Sequence, residues 1–348
     1  MSIDALFKQA NARQLAGDLA GAERQYRALT RLKPLWAFHN LGVLYAKAGR
    51  DAEAEQALRA ALAVDPASAA TRHTLGMLLL SLGRYTEGWP EFEARRDPAS
   101  LARLTRPKLP YPSWAGEDLA GRHLVVVREQ GFGDQIQFAR FLPRLAEMAG
   151  KVTYVCSPNL VRLFEGLGAE LVPASEAPPP ARADLWTPDM SLGLRLGVTL
   201  ETLSRRPYLA PAPLTDGGGI GVMVQGSPTH VNDRGRSLPA GLAAKLKALG
   251  RDLSPEATGA KDFFETAEIV AELDLVISVD TSVAHLAAAM GKPTWILVAA
   301  RDTDWRWLRD RTDSPWYASA RLYRQGADAD WGPVVRQVIA DAAAAGLA

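Results

Sequence analysis

The 348 residues are enough for two or three compact units, each with its own core. Forty Lys and Arg against 39 Asp and Glu leave a formal charge of +1, which gives no global attraction for nucleic acid or an anionic membrane. A single cysteine, Cys156, excludes an internal disulfide and a cysteine-rich zinc site, and its place in the run KVTYVC marks it as a small core residue. The amino terminus, MSIDALFKQANARQ, lacks an apolar signal region, and no apolar run is long enough to span a bilayer. The expected protein is therefore soluble and cytoplasmic, not an integral membrane protein, with no nucleic-acid partner.

Residues 1–98 carry an internal repeat. The stretches AGDLAGAERQYRALTRLKP, AGRDAEAEQALRAALAVDP and LGRYTEGWPEFEARRDP overlay, and Gly17, Gly49 and Gly83 recur at spacings of 32 and 34 residues. Leu41, Gly42, Tyr45, Ala54, Leu58, Ala61 and Pro66 fall where the tetratricopeptide pattern wants its small and large packing residues, and Leu75, Gly76 and Phe92 repeat part of that set. About three helix pairs are expected, with a concave groove offered to a protein partner; a mere spacer is the bland alternative.

A connector, 99–121, follows, with Pro107, Pro110 and Pro112 enforcing extended chain and Trp114 expected to dock on a domain surface. An α/β half is expected over 122–212. Leu124–Val127 reads as a buried strand and Gln135–Met148 as a helix, joined by a tight turn at Gly131 and Gly133 beside Asp134. That turn begins a dinucleotide fingerprint, but Ile136 stands where the third glycine belongs, and KVTYVC ends without the acidic residue that would take a ribose. NAD binding is rejected. SPNLVRLFEGLG reads as a helix, AELVPA and DLWTPDM as strands, and 191–212 as a helix running out into a Pro- and Gly-rich linker, 213–219, that invites hinge motion.

A second α/β half spans 220–348. It opens on GIGVMVQG and continues through a polar loop, SPTHVNDRGRS, a helix near Pro239–Leu249, a short segment RDLS and a helix through Thr266–Ala271. The pivot of the chain comes next, LDLVISVDTSVAHLAAAMGKPTWILV. Asp274–Val279 is a β-branched strand, Asp280, Thr281 and Ser282 supply N-cap chemistry, Ala284–Met290 is helical, and Gly291 and Pro293 stop the helix before the strand Thr294–Val298. With almost no loop at the strand's carboxyl end, the helix N–H groups point into the crevice where open α/β sheets bind ligands, and His285 lies one turn in, placed to add a ring donor. An ordinary capped helix is the bland reading of the same residues.

DTSVAHLAAAMGKPTWIL resembles the signature of the heptosyltransferase-like glycosyltransferases (family 9), in the branch where such a domain follows tetratricopeptide repeats. EQGFGDQIQFARFLP, GSPTHVNDRGRS, DTDWRWLRDRTDSPWY and RLYRQ match as well, so the resemblance covers roughly 112–324. It implies a fold class of α + α/β, helical repeats followed by a GT-B-like pair of Rossmann-type domains. It also implies inverting, metal-independent transfer of a sugar from a nucleotide-diphosphate donor, held by the carboxy-terminal half, with no cofactor. By this resemblance Asp134 is the general base, with a helix N-cap as its other reading, and Arg236, Asp280, Thr281, Ser282 and His285 hold the donor phosphates. Glu256, Gln130, His230 and Trp305 are left as ribose, base or acceptor contacts; Trp305, Trp307 and Trp316 read equally as a seal between the halves.

Asp302-Thr303-Asp304 imitates a metal-binding DxD but falls in a fold type that needs no metal. No GxSxG elbow or paired-carboxylate spacing points to a hydrolase. The passage between the basic loop and the pivot is shorter than in relatives. Two readings therefore stand: a transferase acting on a surface-structure acceptor such as flagellin or a glycan, and a non-catalytic scaffold with a degenerate transferase domain.

Overall fold

The computed structural model describes residues 2–100, 107, 109–174, 182–215, 217–228 and 233–347. The chain divides into two compact units, Met1–Leu104 and Thr105–Ala348. Among the described residues of the first unit, six helices form three hairpins: α1 (Ile3–Leu15) with α2 (Leu19–Leu29), α3 (Pro34–Lys47) with α4 (Asp51–Val64), and α5 (Ala69–Ser81) with α6 (Tyr85–Phe92). The recurring glycines end the first helix of each pair: Gly17, Gly49 and Gly83 have φ of +85°, +71° and +77°, the left-handed cap that glycine takes without a Cβ penalty. A Cβ on Gly42 would lie 2.5 Å from Leu58 Cγ and one on Gly76 2.4 Å from the backbone nitrogen of Phe92, so the hairpins close only with glycine there. Ala22, Tyr26, Leu41, Tyr45, Leu58, Leu75 and Leu79 fill the core. An ion-pair ladder ties successive hairpins. Arg50 and Arg84, each just after a capping glycine, reach back to Glu23 at 2.7 Å and Glu55 at 2.6 Å. Hydrogen bonds from Arg50, Arg27 and Tyr45 hold the Glu23 carboxyl down to about 2.

The second unit holds two parallel sheets among its described residues. The first runs β3-β2-β1-β4, from β1 (His123–Val127), β2 (Lys151–Cys156), β3 (Glu170–Pro173) and β4 (Leu185–Pro188). The second runs β6-β5-β7-β8-β9, from β5 (Ile220–Met223), β6 (Arg251–Asp252), β7 (Leu275–Val279), β8 (Thr294–Val298) and β9 (Ala320–Arg324). All five residues of β7 are buried, as expected of a strand covered on both faces. Strand order reverses beside β1 in one sheet and beside β5 in the other, and such switch points open crevices at the strands' carboxyl ends. Trp114 is buried next to β4: its N–H donates to Trp186 O at 2.7 Å, and its indole donates to Glu117 O at 2.9 Å. Cys156 is fully buried, which pushes its thiol up to about 12.

Several expected elements differ. The helix expected over Gln135–Met148 is two, α7 (Phe132–Ala139) and α8 (Leu142–Met148), because Pro143 cannot donate within a continuous helix and starts a new one. SPNLVRLFEGLG yields a 3₁₀ turn and a single helical turn, Val161–Phe164. Of 191–212 only Leu192–Arg195 is α-helical; the segment instead crosses to the other half, where Tyr208 N–H donates to Ala289 O at 3.0 Å. The linker is clasped: Asp274 accepts N–H bonds from Gly217 at 2.7 Å and Gly219 at 2.9 Å. Strand β9 and the terminal helix Gly332–Ala344 add to the elements read from the sequence, and Trp331, Val335 and Val338 pack that helix into the core of the second sheet.

Candidate functional site

The two halves of the second unit meet through two helix amino termini. Helix α7 follows β1, and a helix spanning Ser282–Met290, the pivot helix, follows β7; these helices pack directly on each other. A Cβ on Gly133 would sit 2.9 Å from His285 Cδ2, so glycine sets how closely the two approach. Around this contact lies a cavity of about 1260 Å³. Its walls come from the segments just past the strand ends: Arg128, Gln130 and Gly131 after β1, Gln225 and Gly226 after β5, Asp280, Thr281 and Ser282 after β7, and Thr303, Asp304 and Arg306 after β8. That volume exceeds the 300–1,000 Å³ of an ordinary small-ligand pocket, leaving room for two reactants.

Asp134 lies at this junction, on the first turn of α7. Its Oδ2 accepts the Gly131 N–H at 2.9 Å, and its Oδ1 accepts Arg306 Nη2 from the opposite half. The carboxylate therefore bonds the N–H of the N-cap residue Gly131 from the third helical position, not as the N-cap itself, and it also lines the cavity. Arg236 donates from Nη1 to the Asp280 carbonyl at 2.9 Å and lies beside Asp233, which fixes it next to the amino end of the pivot helix. Thr281 is that helix's N-cap residue by position, but no side-chain capping bond forms; its hydroxyl pairs with Ser278 Oγ at 3.0 Å instead. Ser282 lines the cavity. Asp280 is raised to about 6 by burial and by the charge of Asp304.

His285 sits differently from the free ring donor expected. Its Nδ1 pairs with the Tyr317 hydroxyl at 2.8 Å, its ring stacks on Trp307 with centroids 5.2 Å apart, and Nε2 lies 3.9 Å from Asp280 Oδ1. Burial and the nearby Arg306 push its pKa down to about 3, so it is neutral. A carboxylate facing Nε2 favours the tautomer with the proton there.

Of the remaining predicted contacts, Gln130 and Glu256 line the cavity and are exposed, Glu256 on a single turn, Pro255–Thr258. His230 falls outside the described residues. Trp305 is not brought to the cavity: it is 6% exposed and packs edge-on against Trp316, which in turn lies against Phe138 of the first half. Of the three tryptophans, Trp316 thus packs across the two halves, together with Arg140, whose guanidinium donates to Trp316 O at 2.8 Å and lies over the Tyr208 and Tyr317 rings. Asp304 caps its own turn by accepting the Arg306 N–H at 2.9 Å and pairs with Arg306 Nη1 at 2.6 Å, so its carboxylate is already engaged by protein donors.

Arg306 is the residue that sequence reasoning missed. Only 4% exposed, it donates to Asp134, Asp304 and Gln137, and so joins halves 172 residues apart. The available signal was Gln137, a polar residue between Ile136 and Phe138 that turns out fully buried and must therefore have a partner. Among the described residues no group of three or more His, Cys, Asp or Glu is arranged around a common point, and no helix is long and apolar enough to cross a membrane.

Residues 218–305 match the family model of glycosyltransferase family 9 (heptosyltransferase), and residues 37–68 match a tetratricopeptide repeat. Protein FlbA of Caulobacter vibrioides is 28% identical over 386 aligned positions, covering 92% of this chain and 64% of that protein, so the chain spans less than two thirds of this relative's length. Among solved structures, a glycosyl transferase of family 9 from Veillonella parvula is 15% identical with a TM-score of 0.46, covering 66% of this chain and 98% of that one. The O-GlcNAc transferase of Thermobaculum terrenum is 17% identical with a TM-score of 0.26, covering 87% and 83%. The chain thus joins a segment similar to a tetratricopeptide repeat, within three helical hairpins, to a segment similar to glycosyltransferase family 9, within paired parallel sheets.

Proposed function

We propose that the cavity transfers a sugar from a nucleotide-linked donor to a hydroxyl of an acceptor, with inversion. The observation that carries this reading is the convergence of two helix amino termini on one cavity, one bearing Asp134 and the other flanked by Arg236. The pivot helix's free N–H groups and the Arg236 guanidinium suit a phosphate, and they suit the negative charge that grows on it as the sugar leaves. Asp134, across the cavity, is the carboxylate to take the acceptor proton, a role worth about 10²–10⁴-fold in rate. In this reading protein groups balance the phosphate charge without a metal. Gln130 and Glu256, at the exposed rim, are proposed contacts to acceptor and ribose. The helical repeats would bring a protein to the domain, either the acceptor or an assembly factor for a surface structure.

The test is calorimetric titration of the purified chain with the mono- and diphosphates of adenosine, guanosine, uridine, cytidine and thymidine, repeated on Arg236→Ala. Binding of one nucleotide at micromolar Kd, weakened about tenfold by loss of a charge-assisted contact, is expected. A folded protein that binds none of them would sink the donor reading and favour a scaffold role, which the two-residue β6 and the exposed Glu256 would then explain.

A further inference from the structure

Arg306 has five N–H groups, and three are used: Nε to Gln137, Nη1 to Asp304 and Nη2 to Asp134. One remains on each terminal nitrogen, and the residue lines the cavity beside Asp280 and His285 at the amino end of the pivot helix. Its charge is felt there, helping to hold His285 neutral and opposing the rise of Asp280. The bonds from Arg306 are not equivalent. Asp304 lies two residues away, caps the turn that carries Arg306 and moves with it, whereas Asp134 belongs to the other half and keeps a second anchor in the Gly131 N–H. Of the two carboxylates bonded to Arg306, Asp134 is therefore the one that can be given up without unmaking the turn.

We propose that Asp134 and the phosphate of a bound nucleotide compete for the guanidinium of Arg306, so that phosphate binding loosens its hold on Asp134 and frees that carboxylate to take the acceptor proton. The inference rests on the donor reading above and adds an order to it: the base becomes available once the donor is in place. A buried cation surrounded by carboxylates is poorly screened, so removing one competing anion increases its attraction for another. Linkage makes the effect reciprocal: whatever phosphate does to the Arg306–Asp134 contact, loss of that contact does to phosphate affinity.

The consequence is a sign that a merely structural role for Asp134 would not give. Asp134→Asn, which removes the charge and keeps the shape, should tighten binding of whichever of the ten nucleotides in that panel binds the unaltered chain, by about tenfold, within the usual range of coupling between sites. Asp134→Glu, which keeps the charge, should stay within about twofold of the unaltered chain, and in an Arg306→Lys background Asp134→Asn should change affinity by less than about threefold. Thermal melts check that each variant is folded; should Arg306→Lys not fold, the contrast between Asn and Glu at position 134 decides alone. Unchanged or weaker binding by Asp134→Asn overturns the competition while leaving the donor site standing. Failure of the unaltered chain to bind any of the nucleotides overturns the donor reading and the competition with it.

Discussion

Asp189 shows how a single buried group sets the chemistry of its surroundings. It follows β4, is 1% exposed, and accepts the Tyr154 hydroxyl at 3.0 Å and the N–H groups of Glu129 at 3.2 Å and Met190 at 2.7 Å. Burial first, and then the charge of Glu129, raise its carboxyl to about 8. The ordinary aspartate value is about 4, so between that and about 8 the folded chain holds a proton the unfolded chain has lost, and stability falls as pH rises through this window. Asp189→Asn has no such proton to lose. Its stability relative to the parent, from urea denaturation at pH 6, 7.5 and 9, should climb with pH; a flat difference would mean that the buried ion carries no penalty. Nothing in DLWTPDM distinguishes this aspartate from a turn residue, because its surroundings include Tyr154 from within β2 and Glu129 from just after β1. The same holds for Arg306, whose surroundings in DWRWLRDR look like a solvated basic loop until Asp134 and Gln137 arrive from another half.

At the level of elements, the contact between α7 and the pivot helix positions both sides of the cavity. Gly133→Ala would push a methyl toward the His285 ring, which Trp307 and Tyr317 hold in place, so the ring has little freedom to yield. Overpacking of this kind costs about 1–3 kcal/mol. A lowered urea midpoint with an unchanged slope, together with weaker nucleotide binding, is the expected result; a variant as stable as its parent would show that the helices can slide apart freely. The elements themselves were largely legible. LVVV and LVISV read as strands because β-branched runs mark buried parallel sheet, and Gly17, Gly49 and Gly83 read as repeat punctuation because a helix that ends in the left-handed region prefers glycine. What misled was periodicity without its stops: FARFLPRLAEM keeps a helical pattern across Pro143, and the apolar spacing of SLGLRLGVTL suggested a helix where most of the chain runs irregularly across to the pivot helix.

At the level of the molecule, every described residue lining the cavity falls between positions 128 and 306, inside the second unit. On the function proposed above, recognition of the donor and recruitment of a partner would therefore fall to separable parts of the chain. A chain of 105–348 should bind the same nucleotide within about twofold, the tolerance for distant independent changes, yet transfer no sugar to a protein that the repeats recruit. Calorimetry on the shortened chain checks the first half and transfer to a candidate protein in a lysate of the source cells the second; lost nucleotide binding by a folded fragment would refute the separation. Finally, the Asp274 carboxylate, by accepting the N–H groups of Gly217 and Gly219, ties the end of the linker to the start of β7. Arg162 adds a strut on the far rim, paired with Asp262 at 2.8 Å.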